Sequence, residues 1–239
     1  MASDLFISAA CMDWDAVDRG SYLWTIPAIA GVGRVDFESP VTCFVGENGS
    51  GKSTLLEAMA VSYGFNPEGG TKNYAFSTYD SHSELNRHMR LVKSPRKARW
   101  GYFLRAESFY NVATAEAEYS RMGGTPLHLH ERSHGESFLA MVQSNFRPGG
   151  VYFLDEREAA LSPQRQLTLL REIYACAQSG AQFIMVTHSP ILLGLPDAAI
   201  LSFDDGPLHP VSYEDTDSFR ITSLFLSDRK RMLHSLLEE

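Results

Sequence analysis

The sequence predicts an α/β fold on a mostly parallel sheet flanked by helices, and three observations carry that expectation. Three short apolar runs, "VTCFV" (41–45), "VYFL" (151–154) and "FIMV" (183–186), are rich in Val, Ile and Phe and do not alternate with polar residues. Strands of that kind are buried on both faces, as in a parallel sheet covered by helices. A helical pattern ended by glycine follows each of the first two. Every run also leads into a polar loop, and ligands of open α/β sheets bind at those carboxyl ends.

Each element follows in order. After the first run, residues 51–63 place Leu55, Leu56 and Met59 at helical spacing, with Gly64 as a stop. "GYFLR" (101–105) has the composition of a further strand, and a helix is expected through 137–145. After the second run, 163–178 sets Leu167, Leu170 and Tyr174 on one face, with Gly180 as a stop. Residues 206–239 open on a Gly-Pro turn and continue as helix. There Phe225, Leu226, Met232, Leu233, Leu236 and Leu237 form an apolar face expected to pack on the sheet.

Composition limits what such a fold does. A chain of 239 residues with 44% hydrophobic content can bury a full core. A net charge of −8 argues against bulk attraction to nucleic acid. Cys11, Cys43 and Cys176 are too scattered for a disulfide framework or a CxxC metal site. The first fifteen residues lack a signal-peptide pattern, and no apolar run reaches about 18 residues. The expectation is a cytoplasmic protein without an integral membrane segment.

The loop after the first run is "GENGSGKST", residues 46–54. It fits G-x-x-x-x-G-K-[ST] through Gly46, Gly51, Lys52 and Ser53. Glycines 46, 49 and 51 let the backbone curl, so that the N–H groups around Glu47, Asn48, Ser50 and Thr54 form an anion cradle. The following helix adds the partial positive charge of its N-terminus. Lys52 would reach the β- and γ-phosphates of ATP, and the Ser53 hydroxyl would ligate Mg²⁺.

The second loop, "LDEREAALSP" (154–163), places Asp155 at the strand end and Glu156 beside it. Following a P-loop, such an aspartate holds Mg²⁺, and a neighbouring carboxylate can polarise water. The third loop, "VTHSP" (186–190), puts His188 at the same sheet edge. "HERSHGESF" (130–138) offers serines beside histidines, as a hydrolase would. Yet no G-x-S-x-G elbow exists, and neither Ser133 nor Ser137 directly follows a buried strand.

In this order, "GENGSGKS", "SHGES", "VYFLDE", "ALSP" and "VTH" resemble the Walker A, signature, Walker B, D-loop and switch-histidine motifs of the ABC-class P-loop ATPases. The wording is most similar to stand-alone soluble members called AAA-family ATPases. The resemblance implies one ATPase domain over 1–239, with a core of about 1–106 and 147–239 and a helical signature lobe of about 107–146. It implies a head-to-tail homodimer formed on ATP binding. Ser133 and Gly135 of one copy would close over the γ-phosphate held by Gly46–Ser53 of the other. Glu156, His188 and Lys52 are its expected catalytic residues, with Ser53 and Asp155 on the metal. Glu107 stands where transporters carry a glutamine and is a further candidate acceptor for Mg²⁺ or water. Tyr22 and Trp24 are candidates to stack on adenine, with core burial as their alternative.

Nothing between Ser53 and Ser133 sustains the heptads of a coiled-coil member. Between Leu85 and Ala106 there is no acidic residue, and seven of the chain's 21 basic groups, from Arg87 to Arg105, fall there. The run is either a site for nucleic acid or an acidic partner, or a solvated loop. Two other functions share the same motifs: the ATP subunit of a membrane transporter, and a nucleotide-gated binding module that hydrolyses little.

Overall fold

A computed structural model describes residues 5–71, 83–105 and 134–237. Glu107 and Ser133, and most of the expected lobe, lie outside the described residues. The strands are β1 (Ile7–Met12), β2 (Arg34–Asp36), β3 (Val41–Val45), β4 (Met89–Lys93), β5 (Trp100–Leu104), β6 (Gly150–Asp155), β7 (Gln182–Val186), β8 (Ala199–Ser202) and β9 (His209–Pro210). The helices are α1 (Lys52–Tyr63), α2 (His134–Asn145), α3 (Pro163–Gln178), α4 (Pro190–Leu193), α5 (Asp217–Ser227) and α6 (Arg229–Leu237).

Among the described residues the strands make two sheets. One is six-stranded, in the order β5-β6-β7-β3-β8-β9, and is parallel except for its last edge strand. Strands β3, β6 and β7 are buried along their whole length. Their alternation assigns side chains to two faces. Phe44, Val151, Phe153, Ile184 and Val186 enter one core. Val41, Cys43, Tyr152, Leu154, Phe183 and Met185 enter the other. Both sets are apolar, which is why the runs show no polar alternation.

The second sheet, β2-β1-β4, is antiparallel and was not among the sequence expectations. It shares a core with α1, so one face of the main sheet is covered by a sheet and a helix rather than by helices alone. Gln182 ties the two sheets together. Its side chain is 1% exposed. Its Oε1 accepts from the Ile7 N–H at 2.9 Å, and its Nε2 donates to the Ile7 carbonyl at 2.8 Å.

Helix α1 is enclosed by the fold. Leu55, Leu56, Ala58, Met59 and Ala60 lie on more than one side of it and are all buried, as expected of a helix that is apolar all round. Gly64, at φ 108°, ends it by donating to the Ala60 and Val61 carbonyls.

Two expectations are corrected. Helix α3 spans the expected residues, but its buried side chains are Leu169, Ile173, Cys176 and Ala177, while Leu167 and Tyr174 are exposed. Residues at 169, 173 and 176 satisfy helical spacing as well as 167, 170 and 174 do, so the helix has two apolar stripes and tertiary packing chooses between them. The C-terminal segment is broken at Asp228 into α5 and α6, and neither has a buried residue. Leu226, Leu233, Leu236 and Leu237 face outward. Among the described residues both faces of the sheet are filled by other side chains.

Candidate nucleotide site

The P-loop leaves β3 and curls through three positive-φ glycines: Gly46 at 140°, Gly49 at 83° and Gly51 at 100°. L-residues with side chains rarely adopt such angles. At Gly51 a Cβ would also lie 2.4 Å from Ile26 Cγ2. The turn at 22–25 therefore presses against the base of the loop and sets its curvature. Asp204, just past β8, accepts from the Glu47 N–H at 2.8 Å and anchors the loop's outer edge. The Ser50 hydroxyl is buried and has no hydrogen-bond partner among the described residues. An unsatisfied buried hydroxyl on a glycine-rich loop is suited to an anionic oxygen.

Lys52, 3% exposed, folds back so that Nζ donates to the Gly46 and Glu47 carbonyls, each at 2.7 Å. Burial lowers its pKa below the ordinary value, against the upward pull of Glu156, Asp204, Asp155 and Glu47. An ammonium surrounded by carboxylates but stripped of water is poised to exchange two neutral acceptors for phosphate oxygens. The next residue, Ser53, donates from Oγ to Asp155 Oδ1 at 2.8 Å. Thr54 follows in the first turn of α1.

Asp155 is the last residue of β6, and Glu156 turns away from the sheet at φ 45°, ψ 45°. A non-glycine residue in that region is strained, and such strain gathers at functional sites. The Glu156 N–H still bonds the Val186 carbonyl at 3.1 Å, which fixes its backbone to β7. Across that junction His188 Nε2 lies 3.4 Å from Glu156 Oε1. Since β6, β7 and β3 are consecutive in the sheet, all these groups share one edge.

Gly135 sits in the first turn of α2, where a Cβ would lie 2.7 Å from Arg165 Nη1 and 3.2 Å from the Ala160 carbonyl. Glu136 pairs with Arg165 at 2.9 Å. The start of α2 is thus locked to the turn after β6 and to α3. Ser137 is buried within α2.

Sequence reasoning missed Glu158, Thr187 and Asp204. Glu158 was legible as a third carboxylate in "LDERE", but its burial was not. Of the aromatic candidates, Trp24 is occupied: Trp14 lies 4.7 Å away, Arg19 stacks at 4.6 Å, and its Nε1 bonds the Asp18 carbonyl. Tyr22 is half exposed. A cavity of about 470 Å³ opens beside the loop, lined by Gly46, Asn48 and His188 on one side and by Thr216, Arg220 and Ile221 on the other.

Much of the basic run is engaged within the chain. Arg105 pairs with Glu57 at 3.0 Å, Lys93 lies over Tyr63 at 4.8 Å, Arg96 lies over Phe6 at 4.5 Å, and Arg87 approaches Glu84 at 3.8 Å. These contacts favour the reading of a segment that serves the fold. Among the described residues, no helix is long and apolar enough to cross a membrane.

Two family models match parts of the chain. Residues 31–119 match a family model described as an AAA domain. Residues 123–194 match a second AAA-domain model, whose description names the AbiEii toxin and a type IV TA system. The first match holds the P-loop, and the second holds Asp155, Glu156 and His188. Both models are of AAA domains, and each covers less than half of the chain. Among solved structures the chain is similar to the SMC head domain from Thermotoga maritima, with 17% identity and a TM-score of 0.47 over 87% of this chain and 99% of that one. It is also similar to a metal-chelate type ABC transporter in an inward-facing conformation, with 15% identity and a TM-score of 0.48 over 93% of this chain and 90% of that one. No curated protein matches it.

Proposed function

We propose that the chain binds ATP with Mg²⁺ and hydrolyses it between two copies arranged head to tail, using dimer closure to act on a soluble partner. One observation carries this reading. Lys52, the Ser53–Asp155 pair and the Glu156–His188 pair gather at the carboxyl ends of three adjacent strands. The P-loop amides, the orphaned Ser50 hydroxyl and the N-terminus of α1 hold the phosphates. Lys52 trades its carbonyl contacts for the β- and γ-phosphates.

Ser53 and Asp155 are hard oxygen donors, which suit Mg²⁺, an ion that takes few protein ligands beside phosphate and water. When bound there it neutralises charge on the phosphates. Glu156 orients a water and takes its proton. The water oxygen bonds to the γ-phosphorus, the bond to the β-phosphate oxygen breaks, and ADP leaves with the electron pair. His188 steadies the γ-phosphate, and Glu156 then releases its proton to solvent. The work of the protein is positioning and charge neutralisation. Gly135, with Ser133 before it, would meet the γ-phosphate of the other copy, and loss of that phosphate loosens the pair.

The test is ATP turnover and sedimentation of the wild type, with Lys52→Ala as background. Turnover should be abolished in Glu156→Gln, which should accumulate as an ATP-bound dimer. Unchanged turnover in that variant would remove Glu156 from the mechanism, and a wild type that takes up no ATP would overturn the whole reading.

A further inference from the structure

Glu158 lies in the turn after β6, is 7% exposed, and has no part in the mechanism above. One carboxylate oxygen, Oε1, accepts both from the Thr187 hydroxyl at 2.6 Å and from the His188 main-chain N–H at 2.6 Å. Thr187 Oγ1 in turn accepts from the Ser189 N–H at 3.0 Å. Ser189 Oγ donates to Gln166 Oε1 at 2.7 Å, and Gln166 Nε2 returns to the Glu158 and Leu161 carbonyls at 3.3 and 3.1 Å. The bonds close a ring through the turn after β6, the loop after β7 and α3.

A buried carboxylate is costly unless its bonds are strong, and charge-assisted bonds are about twice as strong as neutral ones. Here the strong acceptor is used at the main chain of His188. The imidazole is left out of the ring and stands 3.4 Å from Glu156. Fixing the backbone on one side of a histidine while leaving its ring at the reaction edge limits where that ring can go. The charge on Glu158 is also felt at Cys43, whose thiol is pushed up to about 12 by burial first and by Glu158 second.

We propose that Glu158 is a positioning residue for hydrolysis: its carboxylate sets the main chain of His188 so that the imidazole stays against Glu156 and the γ-phosphate. The proposal rests on the ATPase reading above. It assigns Glu158 no contact with nucleotide.

The experiment is a double-mutant cycle on the full chain. Glu158→Ala should lower kcat by about 10–100-fold, the worth of one or two lost bonds to a charged acceptor, and leave the Kd for ATP within a factor of about two. Glu158→Gln, which keeps an oxygen acceptor, should recover most of the loss. His188→Ala combined with Glu158→Ala should be no slower than His188→Ala alone, because residues acting through one another are not additive. Multiplying losses, or a loss of ATP affinity with kcat unchanged, would overturn the proposal and leave Glu158 a prop for the fold. If Glu158→Ala does not fold, Thr187→Val, which removes the hydroxyl that holds Glu158 Oε1, carries the same cycle. If the wild type hydrolyses no ATP, the ATPase reading falls by itself. The ring signals of His188 in NMR spectra of the free protein then decide: Glu158→Ala should move them as Glu156→Ala does, and unmoved signals reject the proposal.

Discussion

The Ser53 hydroxyl donates to Asp155 Oδ1 at 2.8 Å, binding the first turn of α1 to the last residue of β6. The pair joins two loops a hundred residues apart in sequence, and under the proposed reading both oxygens would turn to Mg²⁺. Asp155→Ala should weaken binding of ATP in the presence of Mg²⁺ by about 10–100-fold, the worth of a lost charged contact. Binding of ATP in EDTA should not weaken and should improve slightly. Asp155 is one of four carboxylates whose field reaches Lys52, so its removal leaves the pocket less repulsive to bare phosphates. Calorimetric titrations with and without Mg²⁺ separate the two effects.

Gly51 and Ile26 form a second relation. A side chain at Gly51 meets two obstacles: a φ of 100° and the Ile26 methyl at 2.4 Å. Gly51→Ala should cost about 2–5 kcal/mol, from backbone strain and overpacking together, and should abolish ATP binding by opening the loop. Adding Ile26→Ala removes the clash but not the strained angle. Urea denaturation should therefore show less than additive loss in the double variant. Full additivity would mean that the loop relaxes away from Ile26.

These relations divide what a sequence shows from what it hides. The P-loop, Asp155, Glu156 and His188 were legible because each function needs a residue type at a fixed offset from a strand end, and that offset is local. Glu158 was legible as a carboxylate, but its burial and its bonds to the loop after β7 were not. Ile26 and Asp204 were not legible, because they reach the same site from distant segments and only packing brings them there. The sheet β2-β1-β4 was hidden for the same reason: its strands are short and pair across distances of roughly 25 to 85 residues. Helix α3 was found, but the apolar face read from the sequence is not the buried one, since periodicity gives two stripes and no direction. The outward leucines of α5 and α6 show the same limit: an apolar face predicts burial only where a core has room for it.

Gln182 predicts where the fold is most fragile outside the site. It completes the hydrogen bonding of Ile7 on β1 through both of its polar atoms. Gln182→Leu would leave a buried N–H and a buried carbonyl without partners, at about 1–3 kcal/mol each. A total loss of about 2–5 kcal/mol is expected in urea titration. Gln182→Glu should be worse at neutral pH than at low pH, because an ionised carboxylate cannot donate to the Ile7 carbonyl. A loss under about 0.5 kcal/mol for the leucine variant would show that the two sheets do not depend on this tie.

Lys52 links pH to both stability and binding. Its pKa in the fold lies below the ordinary lysine value of 10.5, with burial as the main cause. Between the folded value and 10.5 the unfolded chain holds more protons at this site than the folded chain, so this group's contribution to stability rises with pH across that window and is constant outside it. Cys43 acts in the opposite sense: its thiol is held up at about 12, so the fold loses stability as pH climbs from 9.0 towards 12. The difference between wild type and Lys52→Ala isolates the lysine, because Cys43 is common to both. Wild type should gain stability relative to the variant as pH rises through the window. ATP acts in reverse: phosphate beside Nζ favours the charged form and raises its pKa. Binding in that window should therefore take up protons, which calorimetry in buffers of different ionisation enthalpy measures directly. Uptake that persists in a variant able to bind ATP without Lys52, or that is absent in the wild type, would place the phosphates away from the lysine.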